Sequence, residues 1–281
     1  MDADRPLSLS LVIPAYNEAA VIVRAVDEAA AGLGGLFEQW EVLVVDDGST
    51  DGTGELLARL GRSVPGLRVL HHPSNRGYGA ALRTGFAAAR YDLVAFTDAD
   101  CQFDLRDLGR LASQARTAAV VAGRRVDRQD PWRRRFLSGG YNRLVRTLLG
   151  TGVRDCDCAL KVFRREALAD LLPESSGFFV NAEMLHRARR LGLTVAEAPV
   201  AHRPRAGGAS KVSVREVPRT LRTVFGYWWR EVVRSGARQP QPVSVLTARL
   251  RVTVLPPAAA PRLSTAPARP VGPPASRQEA A

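Results

Sequence analysis

The hydrophobic pattern switches repeatedly between a strand-like and a helix-like period. Leu7-Ser-Leu-Ser-Leu-Val-Ile13 alternates and then turns wholly apolar, as a strand entering a sheet does, and Pro14-Ala-Tyr-Asn-Glu18 breaks it. An Ala- and Val-rich helix over about 19–33 follows, then a buried strand at Glu41-Val-Leu-Val-Val45, a strand at Arg68-Val-Leu-His71 and a helix over 78–90. Leu93-Val-Ala-Phe-Thr97 reads as a fourth strand, 104–116 as a helix and 118–122 as a fifth strand. Strand and helix alternate throughout, the signature of an α/β fold with a mostly parallel, Rossmann-like sheet flanked by helices.

That architecture makes the ends of the strands the place to look for chemistry, because ligands bind such sheets outside the strands' carboxyl ends. Asn17-Glu18 follows the first strand, Asp46-Asp47 the second, and Asp98 and Asp100 the fourth. Asp98-Ala-Asp100 presents two hard anionic oxygen groups on the same side of the chain, because side chains alternate. Mg²⁺ or Mn²⁺ is held by one or two carboxylates plus substrate phosphates, so such a pair calls for a diphosphate to complete the site. Alone, each motif also reads as a turn or helix cap. Asp46-Asp-Gly-Ser-Thr-Asp-Gly contains turn and N-cap residues, and Asn75-Arg-Gly-Tyr-Gly-Ala80 is a Gly-bearing turn into a helix. Carboxylates at 46 and 47 could instead accept hydrogen bonds from a nucleobase and ribose, and Arg76 at a helix start could meet phosphate oxygens.

The chain carries a net charge of +12, with basic residues in excess both before and after residue 236, which favours anionic partners. No helix-turn-helix, zinc-finger or aromatic RNA-binding pattern accompanies the charge, so nucleic acid is not the expected partner. Cys101, Cys156 and Cys158 form no C-x-x-C, and His71, His72, His186 and His202 supply no matching zinc spacing. The three thiols read as small core residues of a reducing compartment. Met1-Asp-Ala-Asp4 is acidic where a signal peptide would be basic, and no run of eighteen apolar residues occurs. The expectation is a cytoplasmic protein, at most peripheral on the cytoplasmic face of the membrane.

Four motifs in register now carry a resemblance: Pro14-Ala-Tyr-Asn-Glu18, Val45-Asp-Asp-Gly-Ser-Thr-Asp-Gly-Thr53, Asn75-Arg-Gly-Tyr-Gly-Ala80 and Asp98-Ala-Asp-Cys-Gln102. Together they resemble family-2 glycosyltransferases of the GT-A fold, in the branch of dolichol- or polyprenyl-phosphate mannosyl- and glucosyltransferases. Further on, Gly123-Arg124, Arg135-Phe-Leu-Ser138, Asp155-Cys-Asp-Cys-Ala-Leu-Lys161, Gly177 to Glu183 and Pro199-Val-Ala-His-Arg-Pro-Arg205 to Lys211 continue the similarity. Ala159-Leu160 departs from it, standing where Gly-Phe is usual, and Cys101 stands where an apolar residue is usual.

The resemblance implies a nucleotide-diphosphate-sugar donor of the GDP-mannose or UDP-glucose type. Pro14, Ala15, Tyr16, Glu18, Asp46, Asp47, Arg76, Asp98 and Gln102 would form the donor pocket, with Mg²⁺ or Mn²⁺ on Asp98 and Asp100. Asp100, Arg124, Asp157 and Glu183 would carry catalysis, the last two as candidate bases only if the acceptor is a hydroxyl. Arg124, Arg135, Arg203, Arg205 and Lys211 would hold the phosphate of a polyprenyl-phosphate acceptor, Arg through its bidentate fork. Competing readings are transfer to a hydroxyl acceptor in cell-envelope glycan or glycolipid synthesis, and a non-catalytic sugar-nucleotide binding protein. The Gln-x-x-Arg-Trp signature of processive synthases is absent before Tyr227-Trp-Trp-Arg230, which favours transfer of a single sugar.

Three regions are expected: a transferase domain over 1–212, an amphipathic helix within 213–236, and a mostly disordered tail over 237–281. In the second, Val217, Leu221, Val224, Phe225, Trp228 and Val232 share one side, flanked by Arg219, Arg222, Arg230 and Arg234. That pattern fits a helix lying on an anionic bilayer, a further candidate partner, and equally one packed on its own domain. The third holds nine of the eighteen prolines, although its apolar stretch 243–255 could add a strand.

Overall fold

The computed structural model describes residues 6–126, 128, 132–204, 217–234 and 253–254. Strands β1 (Ser8–Ala15), β2 (Gln39–Asp46), β3 (Leu67–His71) and β4 (Leu93–Phe96) are separated by helices α1 (Ile22–Gly34), α2 (Thr53–Ser63) and α3 (Tyr78–Ala88). Then come α4 (Asp107–Gln114), β5 (Val120–Val126), α5 (Trp132–Leu149), β6 (Lys161–Arg164), α6 (Arg165–Leu171), α7 (Val180–Arg190) and β7 (Val195–Ala201). Helix α8 (Val217–Trp228) continues into a π-helical turn, Trp229–Arg234, and β8 (Thr253–Val254) is last.

One sheet runs β7-β5-β6-β4-β1-β2-β3-β8. β1 lies between β2 and β4, parallel to both, with Ala15 opposite Asp46 and Val12 opposite Phe96. Every residue of β1 and β4 is buried, so helices cover both faces and the strands read as unbroken apolar runs. Phe96 packs against Phe86 of α3 and Phe163 of β6 with ring centroids 5.8 and 6.2 Å apart.

The differences from the sequence expectation lie in the second half. The fifth strand runs four residues past Ala122, because β7 pairs with it in parallel along its whole length, and this carries Arg124 and Arg125 on the strand. β6 and β7 were not foreseen. β6 is four residues long and antiparallel to both β4 and β5, so the sheet is mixed at that point. Thr253 and Val254 do add a strand, antiparallel to β3, from within the apolar stretch of the tail. The rest of 237–281 lies outside the described residues, as do 205–216, including Arg205 and Lys211.

The amphipathic helix packs on its own domain by a seam different from the expected one. Val224 and Tyr227 are its buried side chains, with Tyr227 edge-on to Phe179 and His186 of α7. Phe225, Trp229, Val232 and Val233 stay exposed. Among the described residues no helix is long and apolar enough to cross a membrane.

Candidate functional site

The loops after β1, β2 and β3 are braced by short polar side chains bonded to backbone. Pro14 and Ala15 are buried at the end of β1, opposite Val45 and Asp46. Asn17 has a left-handed backbone, φ 53°, which Asn tolerates better than most residues. Its N–H donates to Ser49 Oγ at 2.9 Å while its Oδ1 accepts from Thr50 N–H at 2.8 Å. The Glu18 N–H donates to Thr53 Oγ1 and the Ala19 N–H to Asp51. Tyr16 and Glu18 are thereby held, half-buried, on a loop stitched to the one after β2.

Asp46 and Asp47, adjacent in sequence, serve different neighbours. Asp46 accepts from Ser49 N–H and pairs with His71 Nδ1, both at 3.0 Å; burial works against its charge, but these bonds hold its carboxyl below the usual range. Asp47 accepts from the backbone N–H groups of Arg76 (3.0 Å) and Gly77 (2.8 Å) and lies 2.6 Å from His72 Nδ1. Asp47 therefore bolts the Asn75-Arg-Gly-Tyr loop to the end of β2 and leaves the Arg76 side chain exposed.

The same loop is gripped from its other side by the turn at 174–176. The Gly79 N–H donates to Ser176 O at 2.8 Å, and a Cβ on Gly79 would fall 2.0 Å from Ser175 O, so only glycine fits there. Arg83 donates to the carbonyls of Pro173, Glu174 and Ser175. Glu183, wholly buried on α7, accepts from the N–H groups of Glu174 (2.7 Å) and Ser175 (3.0 Å) and lies 3.0 Å from Arg187. These partners make Glu183 a brace for the turn; the sequence expectation places it among the candidate bases.

Between the two grips stands Tyr78, missed by the sequence reading. Its hydroxyl donates to Asp98 Oδ1 at 2.9 Å, and burial, then the charges of Asp98, Asp100 and Asp157, push the phenol well above its ordinary pKa. The Phe178 ring lies tilted against it, centroids 5.2 Å apart. Asp98 is half-buried and Asp100 buried, both just beyond the end of β4 as expected. Asp100 Oδ1 accepts from the Gln102 N–H at 3.2 Å around Cys101, whose φ is 56°.

Beyond β5 the groups are charged and buried. Arg125, not Arg124, is the buried one: it grips Asp155 bidentately at 2.7 and 2.8 Å. Burial opposes both charges, and the pairing overcomes it, raising the Arg125 pKa and lowering that of Asp155. Arg124 is half-exposed, with its Nε 3.8 Å from Glu197. Arg135 is exposed on α5.

Lys161 is wholly buried; its ammonium donates to Asn181 Oδ1 (2.8 Å), Cys156 O (2.9 Å) and Cys158 O, and sits 5.5 Å from the centre of the Phe96 ring. It fastens the loop that carries Asp157. Burial pushes the Asp157 carboxyl up to about 6, against the pull of Arg125, and burial also raises the Tyr141 phenol beside it. The three cysteines are free and buried, as expected. Gln102 and Arg203 are joined to each other, and Arg203 is ion-paired to Asp104 and Glu28.

Three strand ends and a carboxylate pair converge on one sheet edge, the arrangement of the GT-A fold. The family model "Glycosyl transferase family 2" matches residues 10–172, and the chain belongs to that family. It is 35% identical over 226 residues to polyprenol monophosphomannose synthase of Mycolicibacterium smegmatis, covering 74% of this chain and 83% of that one. It is also 35% identical to glycosyltransferase AglD of Haloferax volcanii over 81% of its own length, but spans only 38% of that relative. Among solved structures, glucosyl-3-phosphoglycerate synthase of Mycobacterium tuberculosis with Mn²⁺ and UDP-glucose superposes with a TM-score of 0.60 at 26% identity, covering 80% of this chain and 81% of that one.

Proposed function

We propose that this protein transfers a single hexose, with inversion, from a nucleotide-diphosphate sugar to a polyprenyl phosphate. The observation that carries the reading is the Asp98–Asp100 pair at the end of β4, with Asp98 oriented by Tyr78, flanked by the braced donor loops and by Asp157. Relatives that bear polyprenol-phosphate names support the acceptor. Asp98 and Asp100 would contribute two carboxylates to a metal site that a diphosphate completes. Hard oxygen donors of this kind suit Mg²⁺ or Mn²⁺, which a relative in fold also binds. Held there, the ion would supply positive charge to the departing diphosphate.

The chain's own groups do the rest. Pro14, Ala15, Tyr16, Glu18 and the loop bolted by Asp47 line the nucleotide side, and Arg76 projects from that loop toward phosphate. The acceptor phosphate oxygen forms its bond to the anomeric carbon on the face opposite the breaking bond to the nucleoside diphosphate. A phosphate monoester with a second pKa near about 6 is already ionised at neutral pH and needs cations, not a base. Arg124 and Arg135, on the β5–α5 side, would hold it, with Arg205 and Lys211 completing the set proposed from the sequence. The exposed Phe225, Trp229, Val232 and Val233, with Arg222 and Arg234, suit a helix lying on an anionic bilayer where that lipid resides.

One observation favours a second reading. An Asp157 carboxyl near 6 is tuned for general-base work, which a hydroxyl acceptor would require. Purified protein with Mn²⁺, a panel of UDP- and GDP-sugars, and either polyprenyl phosphate or hydroxyl glycolipids separates the two. Glycolipid phosphate formed equally by wild type and Asp157→Asn establishes the first; transfer to hydroxyls only, lost in Asp157→Asn, establishes the second. No turnover with any donor overturns both.

A further inference from the structure

The stretch that leaves β7 turns back and lies along the loop that carries Asp100. The Arg203 N–H donates to Gln102 O at 2.7 Å, the Gln102 side-chain amide returns to Arg203 O at 3.3 Å, and Phe103 and His202 form an antiparallel bridge with rings 5.8 Å apart. Upstream, the Ala201 N–H donates to Asp107 at 2.8 Å and the Arg110 guanidinium to Pro199 O. The Arg203 guanidinium closes the arrangement, 2.7 Å from Asp104 and 3.6 Å from Glu28 of α1. Asp104 is also held by Arg106 at 2.6 Å.

The loop between these ties and Asp100 is strained. Cys101 sits in the left-handed region at φ 56° with no Asn- or Gly-like tolerance for it, a conformation that persists only when the surrounding structure over-determines it. The upstream flank is β4. The downstream flank, Gln102 to Asp104, is fixed by the backbone and guanidinium of Arg203. The guanidinium is already engaged by two carboxylates, which offset the charge it could offer a lipid phosphate.

We propose that Arg203 is a positioning residue for the metal-binding loop rather than a cation for the acceptor phosphate. Through Asp104 and Glu28 it keeps Cys101 left-handed and so keeps the Asp100 carboxylate aimed where Asp98 can share an ion with it. The inference rests on the assignment of the metal to Asp98 and Asp100.

The test is calorimetric titration of the full chain with Mn²⁺, alone and with UDP or GDP, beside KM values for donor and for polyprenyl phosphate. Removing an outer partner of a metal ligand weakens metal affinity by about 10–100-fold. Arg203→Met is expected to lower Mn²⁺ affinity about tenfold and raise the donor KM while leaving the lipid-phosphate KM in place, and Arg203→Lys to recover part of the affinity. Asp104→Asn should reproduce the loss, and the double variant should be no worse than either single one; Asp104→Asn and Arg203→Lys carry the test if Arg203→Met does not fold. Unchanged Mn²⁺ binding with a raised lipid-phosphate KM overturns the proposal. Absence of Mn²⁺ binding by the wild type with either nucleotide overturns the underlying metal assignment instead.

Discussion

The side of this sheet edge proposed for the donor and the side proposed for the acceptor use acidic residues differently. On the donor side, Asp46, Asp47 and Asp51 accept backbone N–H groups from neighbouring loops. Such bonds satisfy the carboxylate and the amide together, and the loops become rigid without an opposing buried cation. On the acceptor side, Arg125 faces Asp155, Lys161 faces carbonyl oxygens, and Asp157 has the Cys156 thiol at 3.7 Å as its hydrogen-bond partner among the described residues. Charge there is buried against charge or left dear to maintain, and the Asp157 pKa moves accordingly. An acid whose oxygens are taken up by the N–H groups of another loop braces that loop, as Asp47 does; Asp157 has no such backbone donor among the described residues. Backbone N–H groups also reach acids on the acceptor side: Glu183 takes them from the turn at 174–176, Glu197 from Arg154 and Asp155, and Asp155 from Arg125.

The comparison can be broken at several points. Asp100→Ala removes a proposed metal carboxylate and should lower kcat by about 10³-fold, the scale of a lost electrostatic contact in a transition state, and abolish Mn²⁺ binding in calorimetry. The fold should survive, with a near-normal thermal transition, because Asp100 lies beyond the buried strand.

Arg125→Met tests the acceptor side's dependence on paired charge. It strands Asp155 in the interior and should cost about 3–5 kcal/mol in urea unfolding, whereas Arg125→Met with Asp155→Leu should recover most of that. Asp47→Ala tests the donor-side bolt: two N–H groups and His72 lose their acceptor, and about 3 kcal/mol should be lost together with nucleotide binding, read by unfolding and by UDP titration.

The pH dependence follows from Asp157. Its folded pKa of about 6 lies above the unfolded value near about 3.9, so the folded state binds the extra proton between them. The stability this gives is fully present below about pH 4 and lost as pH rises through 6. Asp157→Asn cannot titrate, so its urea midpoint should gain on the wild type between pH 4 and pH 7.5; parallel midpoints across that range would show that burial does not shift the group. The smallest effect is expected at Trp229→Ser on the exposed face of the π-helical turn, within about 0.5 kcal/mol of wild type, with weaker co-sedimentation on anionic vesicles.

Much of this molecule is written in local pattern. The strands at 8–15, 39–46, 67–71 and 93–96 and the motifs at their ends are legible because a buried parallel strand needs a short apolar run and its exit needs turn residues. The carboxylate pair 98 and 100 falls at that exit for the same reason. What the chain does not display locally is which distant partner each polar group will meet. Lys161 and Arg125 look like surface cations until β6 inserts antiparallel between β4 and β5 and buries one, and β7 pairs along β5 and covers the other. Tyr78 looks like a helix-start residue until the 174–176 turn presses the loop toward β4, and nothing local in the sequence pairs Glu183 with the N–H groups of 174 and 175 or Arg203 with Asp104. Periodicity and turn chemistry act over a few residues and so are carried by neighbours in the chain, whereas the desolvation and pairing that decide a charged group's role come from segments tens of residues away, which only the closed sheet brings together.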